Sequence, residues 1–389
     1  MTELEHIIVI GGGIGGALAH DLALRGFRVT LLEKGELLSG STGRHHGLLH
    51  SGARYVLHDS ETARECMREN QILKRIVPEA LEQNDGLFVA LSDEDVAFIE
   101  EFLEGCAFAG ITALSLDRDL ALAVEPNLNP NLKAAVRVPD ATMDAWRLPM
   151  HFFATAKENG ADIRPFSEVV EIMSVGKTVT GVKIFDHKTH GTYALQGDLV
   201  VNATGPWARK TAAMLGIDIP LQPAPGVMVS LAARLTNMVI NRLHPADDGD
   251  IIVPQRGLSL LGTSVWLAED PDDIIEHQME HVHRIVKLCA QMVPQIAQMP
   301  IHAVWSASRP LIVFDNHEDP SKIKRSFDCI DHAVREGVDG FISVLGGKAT
   351  TMRAMAAKAA DLVCSKTGRR IACGTQDYKL LNYRRFFKN

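Results

Sequence analysis

The chain has 389 residues, 46% of them apolar, enough for two or three domain-sized units or one large interleaved unit with a sizeable core. Its 40 basic and 48 acidic side chains give a net charge of −8. That balance argues against a general nucleic-acid role, since neutralising phosphates takes excess Lys and Arg, but a few placed arginines suffice for a small anionic substrate.

The organising stretch comes first. IIVIGGGIGG, residues 7–16, runs four β-branched residues into a glycine cluster, as a buried parallel strand does before a tight turn. Gly11, Gly13 and Gly16 satisfy G-x-G-x-x-G, a helix is predicted over 17–25 with Gly26 to end it, and a second strand over 27–32 leads to Glu33. Glu33 lies about 20 positions beyond the first glycine, the reach of a carboxylate that hydrogen-bonds an adenosine ribose. The glycines let backbone approach a pyrophosphate, and the helix N-terminus offers it free N–H groups and a positive dipole. The segment 42–55, TGRHHGLLHSGARY, has no regular period and is dense in His and Arg. It does not read as core, and its place after the ribose acid predicts a course along the rest of the dinucleotide. Three histidines in it invite a metal reading, but no carboxylate or cysteine completes a ligand set.

Helices are predicted over 60–76, 93–105 (capped by Ser92), 117–124 and 146–159, and strands over 86–91, 111–114, 134–138 and 162–164. Residues 169–174 and 180–185 alternate as a small antiparallel pair. The strand 199–202 ends in Ala203-Thr204-Gly205, as a sheet strand meets a cofactor edge. Short strands over 226–231, 237–243, 251–254 and 258–262 form an antiparallel pattern, followed by a long amphipathic helix over 270–292. His277, His281 and His283 in that helix read as a solvated face rather than a metal set. Arg309 falls between two apolar strand fragments in 303–313, and the strand from Phe341 runs into Gly346-Gly347, Lys348 and a helix start at Thr350-Thr351. The basic, aromatic tail, 366–389, is open between docking and disorder. Six cysteines without a C-x-x-C pair fit reduced thiols, not a disulfide framework or a metal cradle. The acidic start MTELEH fits no signal peptide, and no apolar run approaches the roughly 18 residues of a membrane span.

Glycine sites at the beginning, middle and end predict an α/β (α+β) fold: a discontinuous Rossmann-like dinucleotide domain (1–80, 145–220, 305–389) interleaved with a smaller antiparallel-sheet substrate domain (81–144, 221–304).

The motifs TGRHHGLLHSGARY, ARECMRENQILKRI, EPNLNPNL, VRVPDATMDAWRL, LVVNATGPWA, DGDIIVP, SLLGTS, SRPL and GFISVLGGKATTMRAMAAKAADLVC resemble those of the FAD-dependent glycerol-3-phosphate dehydrogenases, anaerobic multi-subunit type, in the D-amino-acid-oxidase-like flavoprotein superfamily. The resemblance implies non-covalent FAD and oxidation of the secondary alcohol of a three-carbon phosphate by hydride transfer to the flavin. It places Gly11, Gly13, Gly16, Glu33, Thr42, Gly205 and Lys348 on FAD, with Ile14, Gly15, Lys34, Gly43, His46, Gly47, Leu49, Ala203, Thr204, Trp207, Gly346, Gly347 and Ala349 beside them. Arg54, Tyr55, Arg309, Lys348 and Thr351 would hold the substrate. Two arginines suit a dianionic phosphate, and the hydroxyl proton needs an acceptor, for which His50 and Lys348 are candidates. His50, Arg309 and Lys348 form the expected catalytic set, with no metal.

Three departures stand out. The family form has Asn at His45 and a Gly in the segment where Ser306-Ala307-Ser308 precedes Arg309 here, and respiratory relatives carry a histidine at Met228. The relatives' cysteine-rich C-terminal domain has no counterpart in this sequence, so a separate partner, a quinone or a soluble acceptor is expected to take the electrons. A cytoplasmic location is expected, with attachment to the inner face of the membrane through a partner left open. A related polyol phosphate as substrate, a 2-hydroxy acid or secondary amine on the same fold, or a flavin-binding subunit that works only in a complex, remain the alternatives.

Overall fold

The computed structural model describes residues 5–244, 249–272, 279–313 and 326–388. His6–Ile10 (β1) is buried at every position. Ile7 and Val9 face one apolar cluster, with Leu18 and Phe153, while Ile8 and Ile10 face another, with Val182 and Ala208. A strand covered on both faces needs this unbroken apolar run. Gly15–Leu24 (α1) follows, then Arg28–Glu33 (β2), which pairs parallel to β1. Leu199–Asn202 (β3) pairs on β1's other side, and Phe341–Gly346 (β4) lies parallel beyond it. The strands Phe327–Asp331 and Asp162–Pro165 complete the six-stranded sheet at its two edges.

One face of that sheet is covered by α1, by Arg147–Glu158 and by the C-terminal helix Met352–Lys366. The other carries a three-stranded antiparallel sheet (Ser167–Val175, Thr178–Asp186, Gly191–Gln196). Its third strand was not predicted: it is mostly exposed and offers no apolar alternation.

The second sheet has eight strands, in the order Ile301–Ile312, Leu221–Leu231, Leu258–Gly262, Ile251–Gln255, Val239–Arg242, Gly86–Ala90, Ala134–Val138 and Leu114–Asp117. It is antiparallel except for Val239–Arg242 beside Gly86–Ala90. The expected fragments around Arg309 are one continuous edge strand, Ile301–Ile312, pairing with Leu221–Leu231. An edge strand tolerates Pro310, which lacks the N–H a central strand would need. The ladder puts residues 305–312, expected in the dinucleotide domain, into this sheet. The predicted helix from residue 270 is described only as Met279–Met292, and His277 lies outside the described residues. His281 packs on the Trp266 ring at 4.9 Å. The tail is docked: Leu380 N–H donates to Ile76, and Phe386 packs on Phe153.

His20 on α1 is wholly buried between Phe152 and Tyr378, and neither ring nitrogen has a hydrogen-bond partner among the described residues. Burial pulls its pKa from 6.5 to about 4. The unfolded chain therefore binds more protons between those values, and stability falls as pH drops through that window, by about 3 kcal/mol at its foot. His20→Leu is expected to be more stable than wild type at about pH 7, with a gap that widens on acidification. Urea melts across the window check this, and parallel pH dependences would refute it.

Candidate functional site

The carboxyl ends of β1, β3 and β4 open on one cavity of about 960 Å³, where ligands of open parallel sheets bind. At its first end, Gly11 has φ +107° and donates its N–H to Leu32 at 2.8 Å. A Cβ there would stand 2.5 Å from the Ala203 carbonyl, and one at Gly13 2.5 Å from Thr42 Oγ1. Gly15 and Gly16 serve packing instead: added Cβ atoms would meet Val9 and Leu31, and the Phe153 ring. The first turn of α1 has no side-chain cap and no acidic residue, so its N–H groups and dipole remain available to an anion. Glu33 lines the cavity, its Oε2 accepting from Gly12 N–H at 2.7 Å and its Oε1 from Gly35 N–H at 2.9 Å. Lys34 Nζ sits 4.9 Å over the Trp207 ring, whose Nε1–H donates to Asp272. This cradle of close backbone, helix terminus and carboxylate fits an ADP moiety.

The cavity continues past Ala203, Thr204 and Gly205 to Gly346, Gly347, Lys348 and Ala349. Ile14, Thr42 and His46 also line it. Four further expected contacts do not line it. Leu49 is wholly buried in the core. Gly47 turns at φ +84° against the Met143 carbonyl, and Gly43 abuts the Leu38 carbonyl. Thr351 is buried, with its hydroxyl on the backbone of Lys348, while its neighbour Thr350 lines the cavity. One step along a 3₁₀ turn, which Ala349–Thr351 forms, rotates a side chain about 120°, so the adjacent threonines face different ways.

The far end gathers His45, His46, His50, Arg54, Tyr55, Arg309 and Lys348. His45 Nδ1 accepts from Gly47 N–H at 2.9 Å, and His46 Nδ1 from Leu48 N–H at 3.1 Å. An Nδ1 lone pair so engaged puts the ring proton on Nε2, making both rings neutral Nε2–H donors. Burial lowers their pKa values to about 4 and about 3, with Arg309 and Arg54 adding to the effect on His46. His50's ring nitrogens carry no hydrogen bond among the described residues. Burial, then His46, Lys348 and Arg54, hold its pKa well below 6.5. Of the three, His50 keeps a ring nitrogen able to accept a proton. Its ring lies 5.5 Å from that of Tyr55, and Lys348 Nζ stands 4.6 Å over the Tyr55 ring.

Arg309 donates to Thr263 Oγ1 at 2.6 Å and to the Ser264 and Ala224 carbonyls. Arg54 pairs with buried Asp250 at 2.7 Å and donates to Asn241. Asp250's second oxygen lies 2.8 Å from His244 Nε2. Burial works to raise the Asp250 pKa, but Arg54 and His244 outweigh it and hold it below the usual carboxylate range. Sequence reading missed Asn241, His244, Asp250, Thr263 and Ser264, which lie far along the chain from the arginines they hold. DGDIIVP and SLLGTS marked those segments without revealing their partners.

The family described as FAD dependent oxidoreductase matches residues 6–362. A subunit of the anaerobic glycerol-3-phosphate dehydrogenase of Escherichia coli is 42% identical over 382 residues, covering 97% of this chain and 70% of the relative. The corresponding Haemophilus influenzae protein is 38% identical over 376 residues, covering 96% and 67%. Among solved structures, the Bacillus halodurans glycerol-3-phosphate dehydrogenase complexed with FAD superposes with a TM-score of 0.74 at 22% identity, covering 97% of this chain and 68% of that one. L-proline dehydrogenase from P. horikoshii superposes with 0.75 at 23% identity, covering 99% and 98%. At those identities the structures share the fold.

Proposed function

The chain belongs to the FAD-dependent oxidoreductase family, and on that footing we propose that it is an FAD-dependent dehydrogenase oxidising sn-glycerol 3-phosphate to dihydroxyacetone phosphate. The observation that carries this reading is the single cavity that joins the Gly11–Glu33 cradle to a chamber holding Arg54, Arg309, Lys348 and His50.

FAD, when bound, supplies the two-electron acceptor for the hydrogen on the secondary carbon. Gly11, Gly13 and the α1 terminus would hold its pyrophosphate, Glu33 its ribose, and Gly205 and 346–349 its ring half. The remaining work falls to side chains. The guanidinium groups of Arg54 and Arg309 suit the substrate's phosphate as forked, always-charged donors. His50, neutral in this setting, takes the hydroxyl proton, and Lys348 steadies the negative charge that develops on that oxygen. The partly buried setting of these side chains sharpens each of these electrostatic terms.

Anaerobic reduction of the purified flavoprotein tests the reading: glycerol 3-phosphate is expected to bleach the flavin, and 2-hydroxyglutarate and sarcosine are not. Absence of bleaching by any phosphate ester would overturn it. The naming of the relatives as one subunit of a dehydrogenase supports an assembly in which another component, protein or quinone, receives the electrons. Turnover with an artificial dye and no partner would show that the chemistry resides in this chain. Among the described residues no helix is long and apolar enough to cross a membrane. We place the protein in the cytoplasm, at the inner membrane face where its acceptor requires it.

A further inference from the structure

The backbone at His50 is gripped from three directions by buried side chains. His50 N–H donates to Thr350 Oγ1 at 3.2 Å. The His50 carbonyl accepts from Asn70 Nδ2 at 3.3 Å, and the same nitrogen reaches the Leu49 and Pro139 carbonyls at 3.2 Å. Ser51 N–H donates to Asp140 Oδ1 at 2.6 Å. Thr350 and Asn70 are wholly buried, and Asp140 is 2% exposed. The three come from separate elements: the turn after Gly346-Gly347, the helix Ser60–Ile76, and the turn between two strands. Next along, Gly52 (φ +97°) lies so close to the Ala63 carbonyl that no Cβ fits. Residues 49–52 thus have little freedom to shift along or about their own axis.

Satisfying buried peptide groups explains why polar partners are needed. It does not require that the acceptor for His50 N–H come from the segment that would carry the ring half of the cofactor. We propose that Thr350 and Asn70 are positioning residues for proton transfer: they fix the N–H and the C=O of His50, and Thr350 ties the base to the cofactor loop. The inference rests on the reading of His50 as proton acceptor. Proton transfer demands heavy atoms within hydrogen-bond reach, and a misplacement near 1 Å costs about 10²-fold in rate.

The test is Thr350→Val, which removes the hydroxyl at nearly constant shape, measured as the FAD-loaded enzyme. The expected result is a flavin reduction rate at saturating glycerol 3-phosphate lower by about 10- to 100-fold, with a displaced acid limb, the substrate dissociation constant within about twofold, and FAD content unchanged. Thr350→Ser should restore most of the rate. Histidine-selective NMR of the protein without FAD should show the His50 titration shifted in Thr350→Val, a readout independent of turnover. A Thr350→Val enzyme that is less stable but keeps the wild-type rate and pH profile would overturn the proposal. Should that variant fail to fold, Asn70→Ser with the same readouts decides it by the same criteria. His50→Gln run alongside separates the two inferences. A wild-type rate there removes the base and this proposal with it, whereas a slow His50→Gln beside a wild-type Thr350→Val overturns this proposal alone.

Discussion

Replacing His50 by glutamine is expected to slow flavin reduction by glycerol 3-phosphate by about 10²- to 10⁴-fold, the range for removal of a positioned base, while FAD stays bound. Glutamine keeps the bulk and can hydrogen-bond, but it cannot take a proton. The pH dependence gives a second signature. Burial, His46, Lys348 and Arg54 hold the His50 pKa well below 6.5. A base works deprotonated, so its acid limb in kcat/KM lies below that value. A bound phosphate dianion adds negative charge to the chamber and favours the imidazolium, so the limb in kcat, which reports the complex, sits higher. Lys348→Met removes one of the depressing cations and moves the limb upward in both profiles. Stopped-flow reduction across pH measures all of this. A His50→Gln enzyme at the wild-type rate, or a Lys348→Met limb that moves downward, would refute the assignment.

What the sequence made legible follows from the range of the physics involved. β1, its glycines, α1 and Glu33 obey local rules: an apolar run, a turn that excludes Cβ atoms, a helix terminus and a carboxylate at a fixed reach. Gly205 and Gly346 were readable for the same reason, each ending an apolar strand. The loop 42–55 is different. Nothing periodic indicates which of its side chains face the cavity, so buried Leu49 was expected beside His46, which lines it. Thr351 was expected in place of Thr350, because a two-residue repeat hides which hydroxyl turns inward. Least visible were the partners of the arginines. The Arg54–Asp250 pair spans 196 positions and the Arg309–Thr263 bond 46, and both depend on a tertiary arrangement that no local pattern encodes.

Those partners separate two arginines that the sequence treated alike. Arg309→Met and Arg54→Met are both expected to weaken phosphate binding, at about 1.5–3 kcal/mol per charge-assisted contact, or roughly 10- to 150-fold in kcat/KM. Their described partners differ. The described acceptors of Arg309 are neutral: a hydroxyl and two carbonyls beside the cavity. Arg54 neutralises Asp250, whose side chain is 5% exposed. Arg54→Met leaves that carboxylate with His244 as its remaining described ionic partner, and an uncompensated buried charge costs about 3–5 kcal/mol. Arg54→Met should therefore unfold at markedly lower urea than the wild type. Adding Asp250→Asn should recover much of that stability, because an amide is far cheaper to bury, but none of the lost kcat/KM. Such a split places Arg54 in two roles at once, phosphate donor and counter-ion of Asp250. A wild-type urea midpoint in Arg54→Met would remove the second role, and recovery of kcat/KM in the double variant would remove the first.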